Sequence, residues 1–526
     1  MKFMEQDITR RQALVSAAVV GAGLVAGCGS SGGGGTTATG AGAAAAQRRR
    51  GGVIRVAGSG SGSSETLDPV SEVSGNINNC RFIAIYNQLV RMGPGITPQL
   101  EIAESMEPNA DATEWTIRLH RGVEWHDGKP FTAKDVLYSF NRMYDPKFPN
   151  FTGSAFTRAN FRAAKIMDDV TLRVPMHQPF SGFMETLTYG FWVVQDGMKD
   201  FTKTAIGTGP YRVKSFSPGE VCVLEPNANY WGSAGPFADR MELRSIADIQ
   251  ARLNAFQAGE LDVAMDLGSE ASRLAAGLPG HIVTSRELTV HTMYMALGKK
   301  PFDDPRVVEA FKLSCDRNAM NANLQGGKAV TGQDLAYVAP GSEGYPSSWP
   351  VPPYDPARAK QLLAAAGYPN GISLTLQVIS DYPDQVNMAQ LYAQQAKAAG
   401  ITLKINGTPE DKYWSDVFGS VPFEASYGGP NAPSQVLESR TSQSPDNSTG
   451  FRSAAYDQAY AELQRTTDKA ARAPIYARLY ELLRTDGTIA PLWFNGFDLV
   501  GDKVQGWEPA PSLYNRQDMA GLAVSS

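Results

Sequence analysis

The chain has 526 residues, of which 42% are hydrophobic and 19% charged. That balance suits a soluble globular protein of two or three lobes and excludes a disordered chain and a multi-span membrane protein. Its 48 basic and 53 acidic residues leave a net charge of −5, which supplies no electrostatic footprint for nucleic acid.

The N-terminus reads as an export signal. Arg10 and Arg11 stand as a pair, and Ala13 to Ala26 form an uncharged run of 14 residues. A spanning helix needs about 20 apolar residues, so this run is too short for a permanent anchor. The context Thr9-Arg10-Arg11-Gln12-Ala13-Leu14 resembles a twin-arginine signal, although Ala13 stands where Phe is commoner. Leu24-Val25-Ala26-Gly27-Cys28 resembles a lipobox, whose cysteine is acylated and becomes the first residue after cleavage. Residues 1–27 are thus a signal peptide, and Cys28 is the expected lipid attachment, each buried CH₂ contributing about 0.8 kcal/mol to membrane binding. Residues 28–52 are mostly Gly, Ser, Thr and Ala, a composition that cannot offset its ordering entropy, and read as a flexible tether reaching about 27 Å. Arg48, Arg49 and Arg50 at its end read as a solvated cluster. The remaining cysteines, Cys80, Cys222 and Cys315, lack close spacing and read as buried free thiols.

The body opens on a short β pattern, Val53-Ile54-Arg55-Val56, and mixes strands with helices to its end. Thr132 is placed to cap a helix with Asp135 at its third position, and Val136, Leu137, Phe140 and Met143 then share one face. Asp355-Pro356 opens a second helix with Leu362, Leu363 and Ala366 inward, stopped by Gly367. Strand Ser373–Ile379, a helix from about Gln385 to Ala399 and strand Ile401–Ile405 make a βαβ unit. In an open α/β sheet ligands sit beyond the carboxyl ends of the strands. That rule selects Ser380-Asp381-Tyr382-Pro383 and, after the strand expected at Phe423–Ser426, Tyr427-Gly428-Gly429-Pro430-Asn431.

A series of segments, in order from about residue 53 to the C-terminus, resembles the extracytoplasmic solute-binding proteins that serve peptide, nickel, opine and some sugar importers. The most specific is Gly122-Val123-Glu124-Trp125-His126-Asp127-Gly128-Lys129-Pro130-Phe131-Thr132-Ala133-Lys134-Asp135-Val136. Gly207-Thr208-Gly209-Pro210-Tyr211, Asn229-Tyr230-Trp231, Gly259-Glu260-Leu261-Asp262-Val263, Pro301-Phe302-Asp303-Asp304-Pro305 and Ile489-Ala490-Pro491-Leu492-Trp493 add to it. Most of these are structural: Asp127-Gly128 reads as a hairpin turn and Gly207 to Pro210 as a bend before a strand. The resemblance implies an α/β, two-lobed periplasmic-binding-protein-like fold with an extra subdomain inserted in the first lobe. Lobe I would comprise 53–95, 200–288 and 494–526, the subdomain 96–199, and lobe II 289–493, with crossings near Thr289–Met295 and Pro491–Asn495. It also implies a monomer that captures a peptide-like solute by closure and serves a permease and its ATPase, outside the cytoplasm.

Peptide-binding relatives carry an Asp in the glycine-rich segment that follows this lobe II strand; here the position reads Asn431, which is neutral. An ammonium there would lose a charge-assisted hydrogen bond of about 1.5–3 kcal/mol. An opine-like, saccharide or capped solute is therefore open, as is compensation by Asp381 or Asp384. The expected ligand-binding set is Asp381, Tyr382, Tyr427, Gly428, Gly429, Asn431 and Trp493, with Trp192 and Trp414 as weaker aromatic candidates. No catalytic residue, cofactor or metal site is expected, and a metal chelate such as nickel stays open as cargo beside the opine and saccharide readings. From residue 53 onward there is no GxSxG, HExxH, Walker A or GxGxxG motif, and His120, His126, His177, His281 and His291 are scattered. A surface receptor without transport and a hydrolase remain the other two readings.

Two outcomes follow for the N-terminus. Replacing Arg10 and Arg11 together by Lys should abolish export, read by cell fractionation, because a twin-arginine receptor reads paired guanidinium groups; normal export would assign the general secretory route. Cys28→Ser should release the protein from membranes, and its persistence there after a high-salt wash would rule out the lipid anchor.

Overall fold

The computed structural model describes residues 48–70, 75–93, 96–143, 156–188, 190–233, 235–429, 432–444, 446–509 and 518–525. Arg10, Arg11, Cys28 and Asn431 lie outside the described residues. The strands used below are β1 (Val53–Gly58), β2 (Ala103–Pro108), β3 (Glu114–Leu119), β4 (Lys165–Asp168), β5 (Thr171–Pro175), β6 (Tyr211–Ser217) and β7 (Val221–Pro226). They continue with β8 (Arg240–Ser245), β9 (Val263–Leu267), β10 (His281–Met295), β11 (Ile372–Ile379), β12 (Ile401–Thr408), β13 (Phe423–Gly428) and β14 (Leu492–Val500).

One mixed sheet runs through the molecule in the order β12-β11-β13-β10-β14-β9-β1-β8-β7-β6. β10 is 15 residues long and serves both halves. Its first part, His281 to Ser285, pairs with Val500 to Gly496 of β14, and its last part, Val290 to Met295, pairs with Gly428 to Phe423 of β13. The register shifts between Ser285 and Thr289, N-terminal to the crossing expected at Thr289–Met295. Such an irregularity bends a strand and releases part of its ladder. It separates the two halves of a fold described as two-lobed α/β.

Period-two alternation sends successive side chains of the second half to opposite faces. Met293 and Met295 pack with Phe311, Met388, Tyr392 and Phe423, whereas Val290 and Tyr294 join Tyr337, Tyr456, Tyr476 and Trp493. In the first half Ile54, Val56, Met241, Leu243 and Met265 pack against Ile77, Cys80 and Phe82 of helix Asn76–Ile85. Gly207 passes so close to that helix that a Cβ there would lie 1.8 Å from the Ile85 carbonyl oxygen, which is why the bend before β6 needs glycine. Cys80, Cys222 and Cys315 are buried free thiols.

A separate sheet, β2-β3-β5-β4, has its own core. Helix Ala133–Arg142 lies on it, with Val136 and Phe140 buried and the Phe140 ring stacked on Phe161 at 4.1 Å. The Asp135 carboxylate accepts from the Thr132 backbone N–H at 2.8 Å, the reciprocal arm of the capping box. This unit also touches the second half of the main sheet's surroundings. Arg472 donates to Glu185 at 2.8 Å, Arg158 to Glu438 at 3.1 Å, and the Ser181 N–H to the Gln464 carbonyl at 3.0 Å.

The βαβ unit forms as the pattern predicts. β11 and β12 are parallel from Ile372↔Ile401 to Ile379↔Thr408, joined by helix Pro383–Ala396 and a 3₁₀ turn that ends at Gly400 in the left-handed conformation. The helix starts two residues earlier than expected because Pro383 occupies its first turn, where no N–H is required. Helix Pro356–Ala365 is capped by Asp355, which accepts from the Arg358 N–H at 2.8 Å.

Glu424 in β13 is 1% exposed, and both carboxyl oxygens accept from the Gly419 N–H at 2.9 Å. Burial pushes its pKa up to about 8, with the Gly419 hydrogen bond and Lys299 opposing. The folded protein therefore holds a proton that the unfolded chain releases near pH 4.3, and this residue's contribution to stability is lost as pH rises through about 8. Glu424→Gln should flatten that fall, measured by chemical unfolding at pH 6 and pH 9; an unchanged pH slope would show that Glu424 is ionised throughout.

Candidate functional site

Three strands end on one edge of the second half. β11 and β12 are parallel and in register, and β13 joins β11 in parallel through Gln377↔Glu424. Their exits are Ser380-Asp381-Tyr382, Pro409-Glu410 and Tyr427-Gly428-Gly429. The convergence of three backbones, rather than any local motif, brings these residues together.

At the centre is the Glu410 carboxylate, the first residue of helix Glu410–Asp416. Tyr427 donates to its Oε1 at 2.8 Å, and the Tyr382 hydroxyl lies 3.1 Å from both Oε1 and Oε2. Trp414, four residues on and so one helical turn away, donates its Nε1–H to Oε1 at 3.4 Å. The Tyr382 and Tyr427 hydroxyls are 3.0 Å apart and their rings 4.4 Å, while Trp414 lies 5.9 Å from Tyr427. Burial first, then neighbouring negative groups, raise both tyrosine pKa values far above the ordinary range, so both remain O–H donors. Tyr382, Glu410, Trp414 and Tyr427 are all half-buried. Asp381 is exposed and accepts from the Glu410 backbone N–H at 2.7 Å, satisfying one of the donors a helix start leaves unpaired.

Behind this cluster, His291 sits opposite Tyr427 in the β10–β13 pair, its ring edge-on to Phe494 at 4.8 Å. Burial pushes its pKa down to about 3, so it is neutral. Tyr337 holds φ at +61°, a strained value for a bulky residue, and its hydroxyl meets Ser426 Oγ at 3.1 Å and the Tyr427 carbonyl at 3.4 Å. Asp384 accepts from Ser269 Oγ at 3.3 Å, and Ser269 belongs to helix Ser269–Ala275 next to β9 in the first half. The exits thus lie beside a contact between the two halves.

Of the residues selected from sequence, Asp381, Tyr382, Tyr427, Gly428 and Gly429 gather at this edge. Trp493 is 1% exposed and belongs to the apolar core with Tyr294 and Tyr337, and Trp192 is buried in the core of the first half. Glu410 was missed, although the strand-end rule applied to β12 reaches it. His126 is fixed in one tautomer: its Nδ1 accepts from the Gly207 N–H at 3.2 Å and its Nε2 faces the Gly209 carbonyl at 3.0 Å. Burial lowers its pKa to about 4. Among the described residues no group of three His, Cys, Asp or Glu side chains converges to hold a metal ion.

Residues 97–448 match the family of bacterial extracellular solute-binding proteins, family 5. The chain belongs to that family. It is 27% identical over 361 residues to the glutathione-binding protein GsiB of Salmonella choleraesuis, covering 67% of this chain and 69% of that one. The periplasmic binding protein DppA of Helicobacter pylori, solved with the peptide STSA, superposes with a TM-score of 0.77 at 22% identity over 91% of this chain and 99% of its own. The substrate-binding protein CtaP of Listeria monocytogenes gives 0.79 at 19% identity over 91% and 100%. These likenesses establish the two-lobed binding-protein fold. Members of this family are solute-binding proteins rather than enzymes, and extracytoplasmic; among the described residues no helix is long and apolar enough to cross a membrane.

Proposed function

We propose that this protein is the capture component of an ATP-driven importer, closing its two lobes over a peptide-like solute and delivering it to a permease and its ATPase. The observation that carries the reading is the convergence of three strand exits on one aromatic and polar surface beside the contact between the halves. A register-shifted strand common to both halves is the proposed joint for closure. GsiB binds glutathione and DppA was solved with a tetrapeptide, and both ligands carry the amide groups and charged ends that such a surface suits. Asp381, Tyr382, Tyr427, Gly428, Gly429 and Asn431 are the proposed ligand contacts. Cys28 is the proposed lipid attachment, Arg10 and Arg11 the proposed export signal, and the working unit a monomer.

Mass spectrometry of small molecules released from the purified protein tests the cargo, followed by calorimetry with each candidate and by uptake in cells lacking the protein. Binding of a peptide-like solute and loss of its uptake are the expected results; unchanged uptake would assign sensing, and turnover of the solute would assign catalysis. Tyr427→Ala should weaken binding of that solute by about 1–3 kcal/mol, or roughly 5- to 150-fold, with unchanged circular dichroism. Unaltered affinity would place the ligand elsewhere.

A further inference from the structure

The carboxylate of Glu410 is surrounded in an unusual way. A half-buried carboxylate ordinarily keeps its charge beside a cation, because removal from water is otherwise costly. Here every side-chain donor to it is neutral and aromatic: Tyr382, Tyr427 and Trp414. Among the described residues no Lys, Arg or His nitrogen lies within 4.0 Å of it. His291, the nearest imidazole behind Tyr427, is neutral, and the adjoining charged side chain, Asp381, is a second carboxylate.

The hydrogen bonds are also lopsided. Oε1 lies within hydrogen-bond distance of all three aromatic side chains, while Oε2 is approached by the Tyr382 hydroxyl, at 3.1 Å, a single O–H that also faces Oε1 and the Tyr427 hydroxyl. A carboxylate oxygen has about two lone-pair sites, so Oε2 retains room for another donor. The rings of Tyr382, Tyr427 and Trp414 lie within 4.4–5.9 Å of one another in succession, and the negative faces of such rings attract a cation placed within about 6 Å. A carboxylate oxygen with room for a further donor, a carboxylate charge and three π-systems share one strand-exit surface.

We propose that Glu410, with the rings of Tyr382, Tyr427 and Trp414, is the subsite for a primary ammonium group of the bound solute. This inference deepens the capture reading and rests on it. The ammonium would donate to Oε2 and lie against the aromatic faces, while the tyrosine hydroxyls hold the carboxylate in place. Specificity for a cationic solute would then be set by Glu410 and not by Asn431.

The test uses the intact protein freed of bound solute, with two probe sets. Pentylamine and 1-pentanol, equal in chain length and different in charge, are titrated by ligand-observed NMR. An equimolar mixture of tripeptides with free amines and their Nα-acetylated forms is presented in competition and quantified by mass spectrometry. The wild type should prefer pentylamine by about 10-fold or more, the weight of a charge-assisted hydrogen bond, and Glu410→Gln should reduce that preference to about twofold. Free-amine peptides should be enriched by the wild type and lose that advantage in the variant. Glu410→Gln keeps a carbonyl acceptor for the aromatic donors; if it fails to fold, Trp414→Leu, which removes one π face and keeps the charge, should still lower the pentylamine preference. A Glu410-dependent pentylamine preference without any peptide binding would end the peptide reading and leave the subsite standing. Peptide binding indifferent to acetylation and to Glu410→Gln would leave capture standing and overturn the subsite, as would equal affinity for pentylamine and pentanol in the wild type.

Discussion

Everything in this molecule depends on two strands that belong to both halves at once. β10 and β14 pair along most of their length, and each also pairs outward, β10 with β13 and β14 with β9. A sheet ladder resists shear because every residue pair fixes its neighbours, so two halves sharing these strands stay in register. The register between β10 and β14 shifts between Ser285 and Thr289. A register shift of this kind bends a strand locally, so the same strands that hold the halves together also carry the bend between them. The surface formed by the strand exits lies on the second half, close to the Ser269–Asp384 contact with the first.

Buried charges tie distant parts of the chain into this frame. Arg81 meets Glu65 at 2.9 Å, both fully buried. Arg317 makes a two-pronged contact with Asp334 at 2.7 and 2.8 Å, and Arg440 meets Asp486 at 3.2 Å while lying 5.1 Å from the centre of the Tyr294 ring. Such pairs contribute little net stability compared with apolar replacements, yet removing one partner strands the other in a dry interior at a cost of about 3–5 kcal/mol. Each pair therefore makes the packing around it costly to disrupt. Arg472–Glu185 and Arg158–Glu438 do the same between the small sheet and the helices of the second half, over-determining where the small unit sits relative to the exits.

The exit cluster shows how one aromatic and polar surface can be assembled from parts that individually look structural. Asp381 accepts from the Glu410 N–H, Trp414 reaches back one helical turn, and the two tyrosine hydroxyls face the carboxylate and each other. Each contact fixes the orientation of a side chain on this surface. Tyr337, strained at φ +61° against Ser426 and Tyr427, extends that rigidity to the strand beneath.

Local chemistry was enough to read the parts. The capping pair Thr132 and Asp135, the Asp355-Pro356 helix start, the Gly400 stop and the alternation of Leu374, Leu376 and Val378 each rest on interactions within a few residues, so the pattern alone located the βαβ unit and named one of its two exits, together with the exit of the neighbouring strand β13. The chain of matching segments from Gly122 to Trp493 carried the two-lobed fold, because a glycine such as Gly207 is required by one close backbone approach and by nothing else. Glu410 was different. Its neighbours Tyr382 and Tyr427 are 28 and 17 residues away, and no periodicity links them. Trp493 was selected for its place in sequence beside a crossing, but the parity of β14 turns its ring into the core, and a strand's parity relative to a cleft is set by its register with partners far along the chain. Sequence by itself determined the elements whose signals are local, among them the βαβ unit, the Thr132-capped helix and the helix opened by Asp355-Pro356. Only the tertiary structure decided which side chains meet, because burial and pairing across long sequence separations are properties of the packed sheet and not of any one segment.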